Sequence, residues 1–181
     1  LASLIEAIDK TGVKNVDGIA VTNQRETVVA WEKSSGKPLY SAIVWQCRRT
    51  KDYCERVEKE YGKEITQKTG LKVDAYFSAS KMRWLLDNVA EVKSAAERGD
   101  LCFGTIETFL IFKLTEGKSF VTDYTNASRT MLFNVKTLEW DGDLLNYFGI
   151  KREFLAEVIS PDQIAGTFSF GGKDIPIAGL A

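Results

Sequence analysis

Histidine is absent from the whole 181-residue chain. That removes His-based triads, His metal sites and His general bases together, so any acid–base work falls to Asp, Glu, Lys or Tyr. Cysteine is scarce: Cys47, Cys54 and Cys102 are odd in number and show no C-x-x-C spacing. They suggest neither a disulfide framework nor a zinc site, and they fit free thiols in a reducing cytosol. We therefore expect a cytoplasmic protein. No apolar stretch approaches the length that spans a bilayer. Leu1-Ala2-Ser3-Leu4-Ile5 is too short for a signal peptide and has no basic lead-in. A formal net charge of -1 and the lack of a long basic run argue against nucleic acid or an anionic membrane as the main partner. Neither G-x-x-x-x-G-K-[ST] nor G-x-G-x-x-G occurs, and no acidic pair stands at metal-ligand spacing. There is no internal repeat, low-complexity segment or dividing linker.

What is present is an ordinary globular composition, 44% hydrophobic and 27% charged. The length suits one domain, or a piece of a larger protein. The chain does not begin with Met, so we expect an excerpt. Apolar residues at 1, 4, 5 and 8 predict a helix stopped by Thr11-Gly12. Strands are expected near Val16 to Thr22, Thr27 to Lys33 and Ala42 to Trp45. Short turns join them, so an antiparallel meander is expected. Lys51 to Tyr61 is helical, with Gly62 and Gly70 as punctuation. Ser78 is expected to cap a helix bearing Met82, Leu85, Leu86 and Val89. A charged helix covers 91–98, and Thr105 is expected to cap one built on Ile106, Phe109, Leu110 and Leu114. Asp123 to Thr130 reads as a loop and Met131 to Val135 as a strand. Asp141 opens a short helix closed by Gly149. Gly171-Gly172 is a loop before the apolar strand from Ile175 to Ala181. This alternation predicts an α/β or α+β layer fold with a mixed sheet and flanking helices.

The candidate chemistry centres on Asn23-Gln24-Arg25-Glu26, held between two apolar runs where one strand ends and the next begins. Ligands gather at strand ends in open α/β sheets. Arg25 could donate to the oxygens of a polyhydroxyl compound and Glu26 accept its protons. A hairpin turn with a surface ion pair accounts for the same residues equally well. Trp45 could wall a pocket or serve as core. Tyr76 could hydrogen-bond a ligand or simply pack with its hydroxyl exposed. Arg48-Arg49 reads as a phosphate contact or, more simply, as a solvated helix start. Gly171-Gly172-Lys173 is too short for a phosphate cradle.

Four segments carry a family resemblance. They are Val21-Thr22-Asn23-Gln24-Arg25-Glu26-Thr27, Ile43-Val44-Trp45-Gln46-Cys47-Arg48-Arg49-Thr50, Thr122 to Leu132, and Tyr76 to Asn88, which fits the first FGGY signature throughout. Together they resemble the glycerol-kinase branch of the FGGY carbohydrate-kinase family. The resemblance implies two ribonuclease-H-like domains of the actin and hexokinase type, closing over a cleft. This chain would be part of the N-terminal domain, an incomplete α/β domain with a mixed sheet. It implies ATP-dependent phosphorylation of glycerol to glycerol 3-phosphate, with ATP and Mg²⁺ as cofactors and a homo-oligomer in the full-length protein. By motif match Arg25 and Glu26 hold the glycerol hydroxyls, Trp45 walls the carbon chain and Tyr76 adds a hydroxyl contact. The family's Asp-x-Gly-Thr phosphate loop would precede Leu1, its catalytic Asp would follow Ala181, and its second domain would lie outside. No catalytic, cofactor-binding or metal-binding residue is therefore expected in this chain, which would be inactive alone. Some bacterial members have a longer Gly-rich loop and an Arg that binds a sugar bisphosphate. The shorter Gly171-Gly172-Lys173-Asp174-Ile175 implies that this inhibitor site is missing. The alternative is a non-catalytic module that binds a polyol or a partner protein.

Overall fold

The computed structural model describes residues 2–11 and 16–181. Leu1 and Gly12, at the two ends of the expected first helix, lie outside them. In chain order the elements are α1 (Ala2–Thr11), β1 (Ile19–Val21), β2 (Val29–Glu32), α2 (Lys51–Thr69), α3 (Ser78–Asn88), α4 (Ala90–Glu97), β3 (Leu101–Gly104) and α5 (Ile106–Leu114). Then come β4 (Val121–Asp123), α6 (Tyr124–Ala127), β5 (Phe133–Asn134), β6 (Glu139–Trp140) and α7 (Gly142–Phe148). A 3-10 turn at Arg152–Phe154 leads to β7 (Glu157–Ile159), β8 (Gly166–Phe170) and β9 (Lys173–Leu180).

The fold is mixed α/β, but no meander forms. β1 pairs parallel with β9, and β9 pairs antiparallel with β8. β2 pairs antiparallel with β3, and β4 runs parallel to β7. The expected third strand, Ala42 to Trp45, contributes only a bridge between Ile43 and Val28. Its next residues turn at once, with the Cys47 amide donating to the Val44 carbonyl at 3.1 Å. The long-range partner wins because β2 is buried on both faces. Val28 and Ala30 join the main core with Met82, Leu85 and Phe103. Val29 and Trp31 face a second cluster with Cys102 and Phe112. An uninterrupted apolar run is what a strand covered on both sides requires. Each fully buried Val, Leu, Met or Phe side chain among them contributes about 1.5–3 kcal/mol. Trp31 is fully buried, with Phe109 5.2 Å and Phe120 5.6 Å away between ring centroids.

The helices differ from expectation mainly at their ends. α2 runs through Gly62, which is buried in its interior, and stops at Gly70 in the left-handed conformation, φ 72°. Phe77, not Ser78, occupies the cap of α3, and the Ser78 hydroxyl is buried without a partner. Thr105 sits at the cap of α5, but its hydroxyl donates to Glu107 Oε2 at 3.1 Å rather than capping the backbone. Asp123 to Thr130 is not a plain loop. Asp123 ends β4 and caps α6, its carboxylate accepting from the amides of Thr125 and Asn126 at 2.9 and 3.0 Å. The expected strand after it shrinks to Phe133–Asn134. α7 forms as expected: Asp141 accepts from the amides of Asp143 and Leu144, and Gly149 closes the helix at φ 61°. Gly171 and Gly172 make the positive-φ turn of the β8–β9 hairpin.

Candidate functional site

The parallel pairing of β1 with β9 puts Val21 beside Leu180, so both strands end at one rim. Asn23 ties this rim to β4 and α6. Its Nδ2 donates to Asn126 Oδ1 at 2.9 Å and to the Ala181 carbonyl at 3.4 Å. Asn126 in turn donates to Asp123 Oδ1 at 2.7 Å. The stretch after Asn23 makes a tight turn, with the Thr27 amide donating to the Gln24 carbonyl at 3.1 Å. Gln24 and Arg25 stay exposed at its tip, while Glu26 and Thr27 are drawn in because Val28 is locked onto Ile43.

Glu26 is only 5% exposed, and its partner is not its neighbour Arg25. Arg129 Nε donates to Glu26 Oε1 at 2.8 Å, which rules out a surface hairpin ion pair. The Arg129 guanidinium also lies over the rings of Phe77, at 5.0 Å, and Tyr76, at 6.0 Å. Cation–π contact of this kind adds about 0.5–2 kcal/mol and orients the fork. Arg129 is set by local backbone: its amide donates to the Asn126 carbonyl at 3.1 Å, and Met131 adopts φ 65° two residues on. A buried non-glycine residue in that conformation costs roughly 1 kcal/mol, so the surroundings hold it there.

Tyr76 belongs to an Asx turn. Its amide donates to Asp74 Oδ1 at 2.7 Å, and Asp74 is gripped by Arg48 at 2.6 and 3.2 Å. Burial works to raise the Asp74 pKa, but Arg48 and the Tyr76 amide outweigh it and hold the carboxyl below its ordinary value. Arg48 therefore positions Tyr76 through Asp74. Arg49 turns elsewhere, donating to Cys47 Sγ at 2.9 Å and lying over the Trp84 ring at 4.4 Å. Trp45 is half-buried in the turn after Ile43, with its ring edge-on to Tyr76 at 5.6 Å. A continuous set thus runs Trp45, Tyr76, Arg129, Glu26. Arg25 stands at the same turn with an exposed side chain that makes no hydrogen bond or ion pair with the described residues.

One member of this set, Arg129, and one residue that supports it, Lys81, escaped the sequence reading. Arg129 lies inside the Thr122 to Leu132 segment without a role assigned to it. Lys81 lies inside the Tyr76 to Asn88 segment, and its buried ammonium donates to the carbonyls of Glu26, Tyr76 and Phe77. The available signal was a lone cation on the stripe of α3 that carries Leu85 four residues later. Asp123 spends its carboxylate on α6 and Asn126. Among the described residues no group of three His, Cys, Asp or Glu is placed to hold a metal ion. No helix among them is long and apolar enough to cross a membrane.

Turns that follow β1 and α6 and precede α3 gather a buried carboxylate, a guanidinium and two aromatic rings, an arrangement suited to gripping hydroxyls. Residues 1–175 match the FGGY family of carbohydrate kinases, N-terminal domain, and the chain belongs to that family. Its ribonuclease-H-like fold is shared with solved sugar kinases. A xylulose kinase of Lactobacillus acidophilus superposes with TM-score 0.82 at 22% identity, over 98% of this chain and 37% of that one, a likeness of fold alone. Within the family the chain is most informatively compared with glycerol kinases. That of Dichelobacter nodosus is 52% identical over 187 residues, covering 100% of this chain and 37% of the relative. That of Photorhabdus laumondii is 50% identical over 187 residues, covering 99% and 37%. The crystal structure of Plasmodium falciparum glycerol kinase with ADP superposes with TM-score 0.90 at 38% identity, over 97% of this chain and 36% of that one. The chain spans a little over a third, 37%, of the length of these curated relatives.

Proposed function

We propose that this chain supplies the acceptor-alcohol half of a glycerol kinase site, and that the full-length protein transfers phosphate from ATP to glycerol. The observation that carries the reading is the Glu26–Arg129 pair beside Tyr76 and Trp45, at the rim where β1, β9 and β4 end. Glycerol offers three hydroxyls on a short apolar chain. Glu26 accepts from two neighbouring hydroxyls with the oxygen lone pairs that Arg129 leaves free. Arg25 swings in from the turn to donate to hydroxyl oxygens, and the Tyr76 phenol adds one contact. Trp45 covers the carbon chain and excludes water. Phosphoryl transfer depends mainly on positioning and charge neutralisation, so a rigid acceptor site is a large part of catalysis.

ATP supplies the transferred phosphoryl group in this reading. Its phosphates and Mg²⁺ are handled outside these residues, and the hydroxyl proton goes to an Asp following Ala181. That residue would enter beside Asn23, because β9 ends there. The three cysteines are free, in keeping with a cytoplasmic enzyme. The test is a coupled ATP-to-ADP assay with glycerol on the full-length protein, beside this chain alone. Glycerol-dependent turnover only from the former is expected. Turnover that erythritol or dihydroxyacetone supports better than glycerol would overturn the choice of acceptor.

A further inference from the structure

Lys81 is fully buried on α3, and among the described residues no carboxylate makes an ion pair with it. Its ammonium donates instead to three main-chain carbonyls: Glu26 at 3.2 Å, Phe77 at 3.2 Å, and Tyr76. Two of these belong to the turn that presents Tyr76, and the third to the turn that presents Glu26. These turns come from distant parts of the chain. Arg129 links the same turns through side chains, bonding Glu26 and lying over the Tyr76 and Phe77 rings. A buried ammonium without an anion is costly unless all its protons are donated, and three carbonyls satisfy all three.

We propose that Lys81 is a positioning residue, which pins the backbone under Glu26 to the backbone of Tyr76 and Phe77 and so holds the hydroxyl-binding side chains in register. The proposal rests on the polyol reading of that site. A neutral amine has two protons to donate rather than three, and it loses the charge that strengthens each bond. The pin therefore loosens when Lys81 gives up its proton. Burial lowers its pKa from 10.5 to about 8, with Cys47, Glu26, Cys54 and Asp74 opposing the fall. Those four reach it from separate elements: Cys47 from the Trp45 turn, Glu26 from the β1–β2 turn, Cys54 from α2 and Asp74 from the Asx turn; Arg129, bonded to Glu26 and lying over Tyr76 and Phe77, is a further charge at these turns. Loosening thus falls near pH 8. Cys47 is the neighbour that could mimic the effect. Burial pushes its thiol up, but Arg49 outweighs this and leaves it below the ordinary value.

The experiment uses the full-length protein, its Lys81→Met variant and a Cys47→Ser control. The glycerol KM and the tryptophan fluorescence are followed from pH 6.5 to 9.5. Trp45, one of four tryptophans in the chain, lies edge-on to Tyr76, so its signal is taken as the difference from a Trp45→Phe variant at each pH and needs no glycerol. In the parent protein, KM is expected to rise about tenfold between pH 7 and 9, with a fluorescence step near pH 8. Cys47→Ser keeps both. Lys81→Met starts with KM about tenfold higher at pH 7 and stays flat in both readouts. A parent protein without the fluorescence step, or a Lys81→Met variant that follows it at every pH, overturns the proposal. A step that Cys47→Ser abolishes also overturns it. If Lys81→Met does not fold, the parent and Cys47→Ser titrations still decide. If the step is present and glycerol does not bind, the pin stands and the polyol reading fails.

Discussion

Two glutamates are buried among the described residues, and their surroundings are opposite. Glu26 faces cations: Arg129 binds its carboxylate at 2.8 Å, and the Lys81 ammonium lies against its carbonyl at 3.2 Å. Glu107, at the start of α5, has only hydroxyls. Thr105, Thr108 and Thr122 donate to its Oε2 at 3.1, 3.0 and 3.2 Å, and its Oε1 has no partner. Burial pushes the Glu107 pKa to about 7, the Asp123 charge adds to the rise, and the hydroxyls only moderate it. Neutral donors do not offset the desolvation of a carboxylate, whereas a guanidinium beside it does. In the proposed reading Glu26 accepts hydrogen bonds from the hydroxyls of glycerol. Among the described residues a guanidinium bonds the Glu26 carboxylate, while Glu107 meets only hydroxyls.

The comparison can be broken most forcefully at Glu26. Glu26→Ala in the full-length protein removes the acceptor and leaves Arg129 unpaired. The glycerol kcat/KM is expected to drop by about two orders of magnitude or more, measured by steady-state kinetics. A change within twofold would remove Glu26 from the site.

The next effect is one of stability, at Glu107. Its folded pKa of about 7 lies above the ordinary 4.5, so between these values the folded state binds more protons than the unfolded state. Stability therefore falls as pH rises through that window, by on the order of 3 kcal/mol at most. Urea unfolding at several pH values should show this fall in the parent protein and a flatter profile in Glu107→Gln. Identical profiles would mean that hydroxyls suffice to keep Glu107 charged.

The smallest change in the fold is expected at Arg25. It is exposed and has no hydrogen bond or ion pair among the described residues, so Arg25→Ala should shift unfolding by no more than about 0.5 kcal/mol. The same variant should raise the glycerol KM about tenfold, because a charged hydrogen bond to the ligand is lost. An unchanged KM and kcat would assign Arg25 to the surface.

How much of this was legible in sequence depended on range. α7 was readable at both ends because Asp141 and Gly149 act on their own backbone neighbours. Strand pairing was not, because β2 chooses β3 across three intervening helices, and no local pattern encodes that choice. Asp123 looked like a loop residue since its capping role needs only one turn of helix, too short to show a period. Of the candidate site residues, Glu26 and Tyr76 could be named from their motifs and their place beside strand and helix ends. Arg129 and Lys81 could not, because their roles are contacts across the fold with Glu26, Tyr76 and Phe77. An isolated cation in a motif carries no sign of which distant anion or carbonyl it will meet.

Calorimetric titration of glycerol into the full-length protein and its Glu26→Gln variant at pH 7 weighs the whole account most directly. Gln keeps the size of the side chain and removes the carboxylate that Arg129 bonds. The account predicts measurable binding to the parent and affinity at least about tenfold weaker in the variant; equal affinities would contradict it.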